Sequence, residues 1–250
     1  MAHGENHRMV SRMQRIRVGN RLLDCLPIDE IDRLRQVWEV VSLGQAEELC
    51  RQDRPLSHVF FPLSGIYAAV VRLEDGELVE ASMVGNEGII GLAAFLGLGI
   101  SMKTATTPVP GECLRLSVPA LRSALKPDSV LDRVLRRYAA FALRNAYQTV
   151  ACNAKHTAQE RMCRWLLASQ DRGGSQQLRM THEVLAHLLG VRRQTVTVII
   201  GSLQEAGCLR SRHGIVRILS RRGLEACCCE CYHVARSLYD QIVQCPDHRN

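Results

Sequence analysis

The spacing of hydrophobic positions changes twice along this chain, and each change marks a new kind of element. Between Glu39 and Ser117 the apolar residues come in short runs, at 58–62, 66–73, 78–84 and 113–118, separated by turns. Runs of that length, rich in Val, Ile, Phe and Tyr, predict strands. Gly65, the Glu74-Asp75-Gly76 turn, Gly85-Asn86, Gly97, Gly99 and Gly111 lie between them. Gly and Asn accept the positive φ that tight turns need, so the segment reads as an antiparallel barrel or sandwich of about 80 residues.

After Pro127 the period becomes helical. Leu131, Leu135, Tyr138, Ala142, Asn145, Thr149 and Cys152 recur at alternating spacings of four and three. That heptad stripe predicts one helix of about 25 residues, roughly 35 Å long. The stripe has two candidate partners, the barrel of its own chain and a second copy. The expectation adopted is a dimer seam through Leu131, Leu135, Tyr138, Ala142, Asn145 and Thr149. Another helix is predicted over 157–169, carrying Met162, Trp165 and Leu166, before a loop at 171–175.

The segment 180–207 carries the most specific pattern. Thr181 caps a helix whose first turn holds Glu183, and Val184, Leu185, Leu188 and Leu189 form its apolar face. Gly190 permits a sharp turn, Val191 fills the corner, and a second helix over 192–205 repeats apolar residues at 196, 199, 200 and 203. This is a helix-turn-helix. The polar face of the second helix presents Arg193, Gln194 and Thr197, whose chemistry suits guanine, adenine and the thymine methyl in a major groove. Thr181, Arg192 and Thr195 stand at helix starts and are the expected phosphate contacts. Gly207 ends the helix, and residues 209–219 read as two short strands turning at His213-Gly214, a wing whose Arg210 and Arg212 meet the DNA backbone. His182 and His187 are too far apart for an i, i+4 metal pair and read as structural or surface histidines.

Charge sharpens this picture. The chain carries a net +7, and residues 176–225 hold eight arginines against three acidic residues, whereas residues 24–100 hold thirteen acidic residues against five arginines. A basic end on an acidic body suits a polyanion-binding module joined to a different kind of domain. No apolar run is long enough to cross a membrane and no signal-peptide core follows the N-terminal arginines, so a cytoplasmic protein with no membrane partner is expected. No nucleophile elbow, phosphate-cradling P-loop or HExxH occurs, and an enzyme is not expected. In that setting the eleven cysteines are expected to be reduced, mostly as small buried apolar residues.

These residues resemble the Crp/Fnr superfamily of bacterial transcription regulators over about residues 25–220. The stretch 181–207, with Arg193-Gln194-Thr195-Val196 at the start of its second helix, is the most specific match. Gly85-Asn86-Glu87-Gly88-Ile89-Ile90-Gly91, followed by Leu96-Gly97, is similar to the family's nucleotide phosphate cassette. The resemblance implies an α+β chain. Its parts would be a tail (1–24), a jelly-roll-like antiparallel β-barrel of the cyclic-nucleotide-binding type (25–126), a long dimerisation helix (127–153), a winged helix-turn-helix (154–223) and a Cys-rich extension (224–250). It also implies a homodimer on a double-stranded DNA operator, with RNA polymerase as a further candidate partner. An effector pocket would involve Gly88, Gly91, Leu92, Lys103 and Thr104.

Family members that bind cyclic AMP carry a Glu after the cassette glycine and an Arg-Ser pair about ten residues on. Here Leu92 follows Gly91, the later segment reads Ser101-Met102-Lys103-Thr104, and the bidentate cation a cyclic phosphodiester needs is absent. Cyclic nucleotide is therefore not expected, and no cofactor is predicted. The first 110 residues hold only Cys25 and Cys50, too few for the N-terminal iron–sulfur cluster of other members. Cys227, Cys228, Cys229, Cys231 and His233 are weak metal or redox candidates, set against an incidental role as helix residues. The alternative function is a small-molecule, metal or redox sensor that controls DNA binding.

Overall fold

The computed structural model describes residues 17–74, 78–243 and 245. A 3-10 turn at Leu23–Cys25 leads into α1 (Ile28–Arg35), with Pro27 at its N-cap and Asp29 and Glu30 in its first turn. Strands β1 (Glu39–Leu43), β2 (Glu48–Cys50), β3 (His58–Pro62), β4 (Ile66–Arg72) and β5 (Leu78–Val84) precede a short α2 (Leu92–Phe95). Then come β6 (Thr104–Val109), β7 (Gly111–Ser117) and α3 (Val118–Ala124). The strands form two antiparallel sheets, ordered β1-β7-β3 and β2-β6-β4-β5. Leu43, Phe60 and Cys113 from one sheet meet Tyr67, Val84 and Ala105 from the other in a shared apolar cluster, giving the jelly-roll-like layout. Three of these strands lack a sequence signal. Val40 on β1 is exposed, β2 has three residues, and β6 is Thr-rich, contains Pro108 and is buried without alternation.

Helix α4 (Val130–Lys155) follows, its start capped by the Ser129 hydroxyl and by the Glu30 carboxylate, which accepts from the backbone N–H of Val130 and Leu131. The stripe read as a dimer seam faces inward instead. Leu131, Leu135, Tyr138, Asn145 and Thr149 are buried in the single chain and Ala142 is half-buried. Leu131, Leu135, Tyr138 and Ala142 pack into a core shared with α1, β3, β7 and α3. The physical reason is that one helix can carry two heptad stripes. A second one, Ala140, Leu143, Tyr147, Val150 and Ala154, is exposed, with Leu143, Tyr147 and Val150 at 56%, 60% and 69%.

Helix α5 (Ala158–Gly173), opened by a Thr157–Glu160 capping box, starts the C-terminal domain. It continues as β8 (Gln177–Arg179), α6 (His182–Leu189), α7 (Arg193–Glu205), β9 (Leu209–Arg212), β10 (Ile215–Ile218), α8 (Arg221–Ala226) and α9 (Cys231–Ile242). One core runs unbroken from β4 and β5 through Met162, Trp165 and Leu166 into the helix-turn-helix. Polar groups cross the same boundary. The buried Trp165 donates Nε1–H to Glu80 Oε2 at 2.8 Å, and Arg172 pairs with the buried Glu87 at 3.2 Å.

Two expectations about the ends need correction. Residues 17–24 are no loose tail: Leu22 and Leu23 are fully buried, and Asn20 Nδ2 donates to the carbonyls of Pro62 and Gly88. The rest of the expected tail lies outside the described residues. The cysteines are not all reduced, because Cys25 and Cys245 form a disulfide across 220 positions, Cα atoms 5.2 Å apart. Chain folding creates that proximity. Helix α9 returns to the barrel end of the molecule, with Tyr239 set edge-on to Phe141 at 5.2 Å and Val243 buried in the same core as α1. No helix among the described residues is long and apolar enough to cross a membrane.

Candidate nucleic-acid interface

Helices α6 and α7 form the expected helix-turn-helix. Thr181 Oγ1 accepts from Val184 N–H, fixing the start of α6, and Gly190 takes a left-handed φ of 60° at its end, where a side chain would be strained. Val196, Ile199, Ile200 and Leu203 bury one face of α7. The opposite face leaves Arg193, Gln194, Thr197 and Val198 in solvent, and Val198 at 72% exposure has no packing role. Arg192 and Thr195 are exposed at the helix start, which no side chain caps, so its first amide groups point outward with the positive end of the dipole.

Strands β9 and β10 pair antiparallel through a two-residue turn, His213-Gly214, with φ of 49° and 72°. Two positive φ values in succession match the right-handed twist of a hairpin. Strand β8 adds to the other edge of β10, and Leu209, Val216 and Ile218 turn inward. Arg210, Arg212 and Arg217 turn outward, and Arg210 stands directly opposite Arg217 in the register. Register partners share a face of the hairpin, so the two arginines add positive charge to one side of the wing, where a phosphate backbone is attracted. The structure therefore gathers Thr181, Arg193 and Arg212 around one concave surface with His182, Ser211 and His213.

His182 has a role that its spacing did not reveal. Its Nδ1 lies 3.0 Å from Thr197 Oγ1 and its Nε2 3.3 Å from Ser211 Oγ, so one imidazole ties the exposed face of α7 to the wing. Gln204 Oε1 strengthens the tie by accepting from Ser211 N–H at 2.6 Å. The Thr197 hydroxyl also donates to the Arg193 carbonyl, which leaves its methyl group as the part offered to a groove.

The residues assigned to an effector pocket are differently engaged. A Cβ on Gly88 would run into Tyr138 Oη, so that glycine is the seat of a core tyrosine. Gly91, at φ 87°, caps α2, where Leu92 is the first residue. Thr104 is buried and accepts from the Gln52 backbone N–H, while Lys103 is half-buried and burial pulls its ammonium below the usual lysine range. A lysine that gives up its proton readily is a weak clamp for a phosphate. The turn before Gly88 is held from several sides. Arg21 N–H donates to the Asn86 carbonyl, Tyr239 Oη to the Glu87 carbonyl, and Arg172 pairs with the Glu87 carboxylate. Of the C-terminal candidates, Cys229 and Cys231 are buried, Cys227 and Cys228 half-buried, and His233 exposed.

Two families match this chain. Residues 160–227 match the Crp-like helix-turn-helix domain and residues 40–128 the cyclic nucleotide-binding domain, together more than half of the chain. The chain is 28% identical over 201 residues to the transcriptional regulator SdrP of Thermus thermophilus, covering 77% of this chain and 95% of that protein. Its fold is similar to that of FixK2 from Bradyrhizobium japonicum, with a TM-score of 0.66, 21% identity and coverage of 77% and 98%. It is also similar to TTHB099, a CRP-family transcriptional regulator of Thermus thermophilus, with a TM-score of 0.61, 19% identity and coverage of 74% and 95%. The cyclic nucleotide-binding match precedes the helix-turn-helix match with α4 between them, and the chain belongs to the Crp/Fnr type of DNA-binding transcription regulators.

Proposed function

We propose that this regulator acts as a homodimer reading an inverted repeat, its two α7 helices entering successive major grooves about 34 Å apart. The observation that carries the reading is the solvent-facing row Arg193, Gln194, Thr197 and Val198, flanked by the arginines of the wing. Arg193 and Gln194 would read base edges, and the Thr197 methyl and Val198 would meet thymine methyls. Thr181, Arg192, Thr195, Arg210 and Arg212 would hold phosphates and set the salt dependence without choosing sequence. The exposed α4 stripe of Leu143, Tyr147 and Val150 supports the second copy, because apolar side chains at heptad spacing lose most by staying in water. RNA polymerase, met at the promoter, would be the further partner.

The barrel is proposed to take no cyclic nucleotide. Gly88 is occupied by Tyr138, the preceding turn is held by the chain's own groups, and the cassette offers no arginine. The test is selection of bound sequences from a random duplex pool at several salt concentrations, without added effector. Enrichment of an inverted repeat is the expected result, whereas salt-sensitive binding without enrichment would mean either that an effector is required or that the wing is a non-specific clamp.

A further inference from the structure

Three buried cysteines, Cys152, Cys229 and Cys231, form an apolar cluster separate from the larger cores of the molecule. His156 joins them, and one donor atom from each of the four residues lies within 4.8 Å of the other three. The residues come from two places. Cys152 and His156 are spaced i, i+4, which sets them on one face where α4 ends, His156 being its C-cap. Cys229 and Cys231 flank Glu230 where α9 begins.

The spacings decide what such a group can hold. A tetrahedral zinc with Zn–S near 2.3 Å and Zn–N near 2.0 Å has ligand–ligand edges of roughly 3.5 to 3.8 Å. Cys152 Sγ and Cys229 Sγ are 3.7 Å apart, and Cys231 Sγ and His156 Nδ1 are 3.6 Å apart. A four-iron cluster cannot fit among atoms this close, so the space is that of one ion. The surroundings also suit a metal. His156 aims Nε2 at Glu230 Oε2, 3.2 Å away, so that the carboxylate would orient the ring and leave Nδ1 to bind. Gln148 Nε2 donates to Cys231 Sγ at 3.1 Å, a contact that suits a thiolate.

We propose that Cys152, His156, Cys229 and Cys231 bind a single zinc ion in a closed Cys3His site that fastens the end of α4 to the start of α9. Four protein ligands leave no open position, so the site's work is structural: it fixes the joint between α4 and α5, from which the DNA-binding domain hangs. Cys227, Cys228 and His233 take no part. Cys228 Sγ donates to the Cys229 carbonyl and the exposed His233 ring rests edge-on against Tyr232.

The test is native mass spectrometry of the full-length protein purified anaerobically with a reductant, followed by replacement of zinc with cobalt(II). One zinc per chain and the visible spectrum of a tetrahedral cobalt thiolate site are expected. Glu230→Gln, outside the ligand set, should weaken zinc binding roughly 10- to 100-fold. Cys152→Ser and Cys229→Ser should abolish stoichiometric retention, while Cys228→Ser and His233→Ala should retain one zinc. Native protein that keeps no zinc, an octahedral cobalt spectrum, iron–sulfur absorption, or full retention by Cys152→Ser would each overturn the proposal. The first three readouts need no variant, so misfolding of a mutant leaves the test intact.

Discussion

At the scale of single residues, two side chains with clear chemistry separate DNA recognition from stability. Arg193 is exposed, at the first position of α7, and its replacement touches no core contact. Arg193→Ala should lower affinity for the selected operator by about 1–3 kcal/mol and leave binding to random duplex nearly unchanged, in fluorescence-anisotropy titrations at fixed salt. Equal losses on both would make Arg193 a phosphate contact. Glu80 is the converse case, buried at the boundary between barrel and α5, where desolvation raises its pKa against the opposing pull of Arg164, Trp165 and Arg172. Its folded pKa lies above the ordinary 4.5, so the folded state holds the proton more tightly than the unfolded one. This group's contribution to stability is therefore greatest in acid and declines as pH rises from about 4.5 through the raised value. Glu80→Gln keeps an acceptor for Trp165 Nε1–H and removes that decline. A gain in stability at neutral pH, shrinking towards acid, is expected, read by denaturant unfolding across a pH series. The solvent-facing residues of α7 were legible in sequence because the apolar period of the helix exposes them by elimination. The tie through His182 was not, since Thr197 and Ser211 are 15 and 29 positions away from it.

At the scale of elements, α4 shows where periodicity stops being informative. A heptad stripe says that a face is buried, and nothing in its spacing says against what. Both stripes of α4 have the same spacing, and the structure assigns Leu131, Leu135 and Tyr138 to the chain's own core. The two faces should therefore respond differently to substitution. Leu135→Ala should cost about 2–5 kcal/mol of stability with the oligomeric state retained, as expected for a cavity in a closed core. Leu143→Glu should leave the fold intact and shift the protein to monomer, as followed by sedimentation velocity. A stable dimer in Leu143→Glu would move the interface elsewhere. The strands follow the same logic: β3, β4, β5 and β7 announced themselves by apolar runs, whereas β6 is held as an inner strand of its sheet by pairing with β2 and β4 rather than by its composition.

At the scale of the whole molecule, the two termini of the described chain meet. The Cys25–Cys245 bridge encloses nearly all of it, and no local spacing could have announced a pair 220 positions apart. Cys25→Ser should lower unfolding free energy by about 2–4 kcal/mol in oxidising buffer and make no difference under reductant, in parallel denaturant titrations. The return of α9 onto α4 and the barrel has a mechanical meaning as well. A domain hung from one linker can swivel in any direction. Here the chain enters the winged helix at the α4–α5 joint and leaves it through α8 toward the anchored α9. With two attachment points and a core shared with β4 and β5, the winged helix is clamped against the strand domain, and a swing about the line joining the attachments must first open that core. Reorientation of the winged helix would then follow a single arc, begun only when the Trp165–Glu80 and Arg172–Glu87 contacts part.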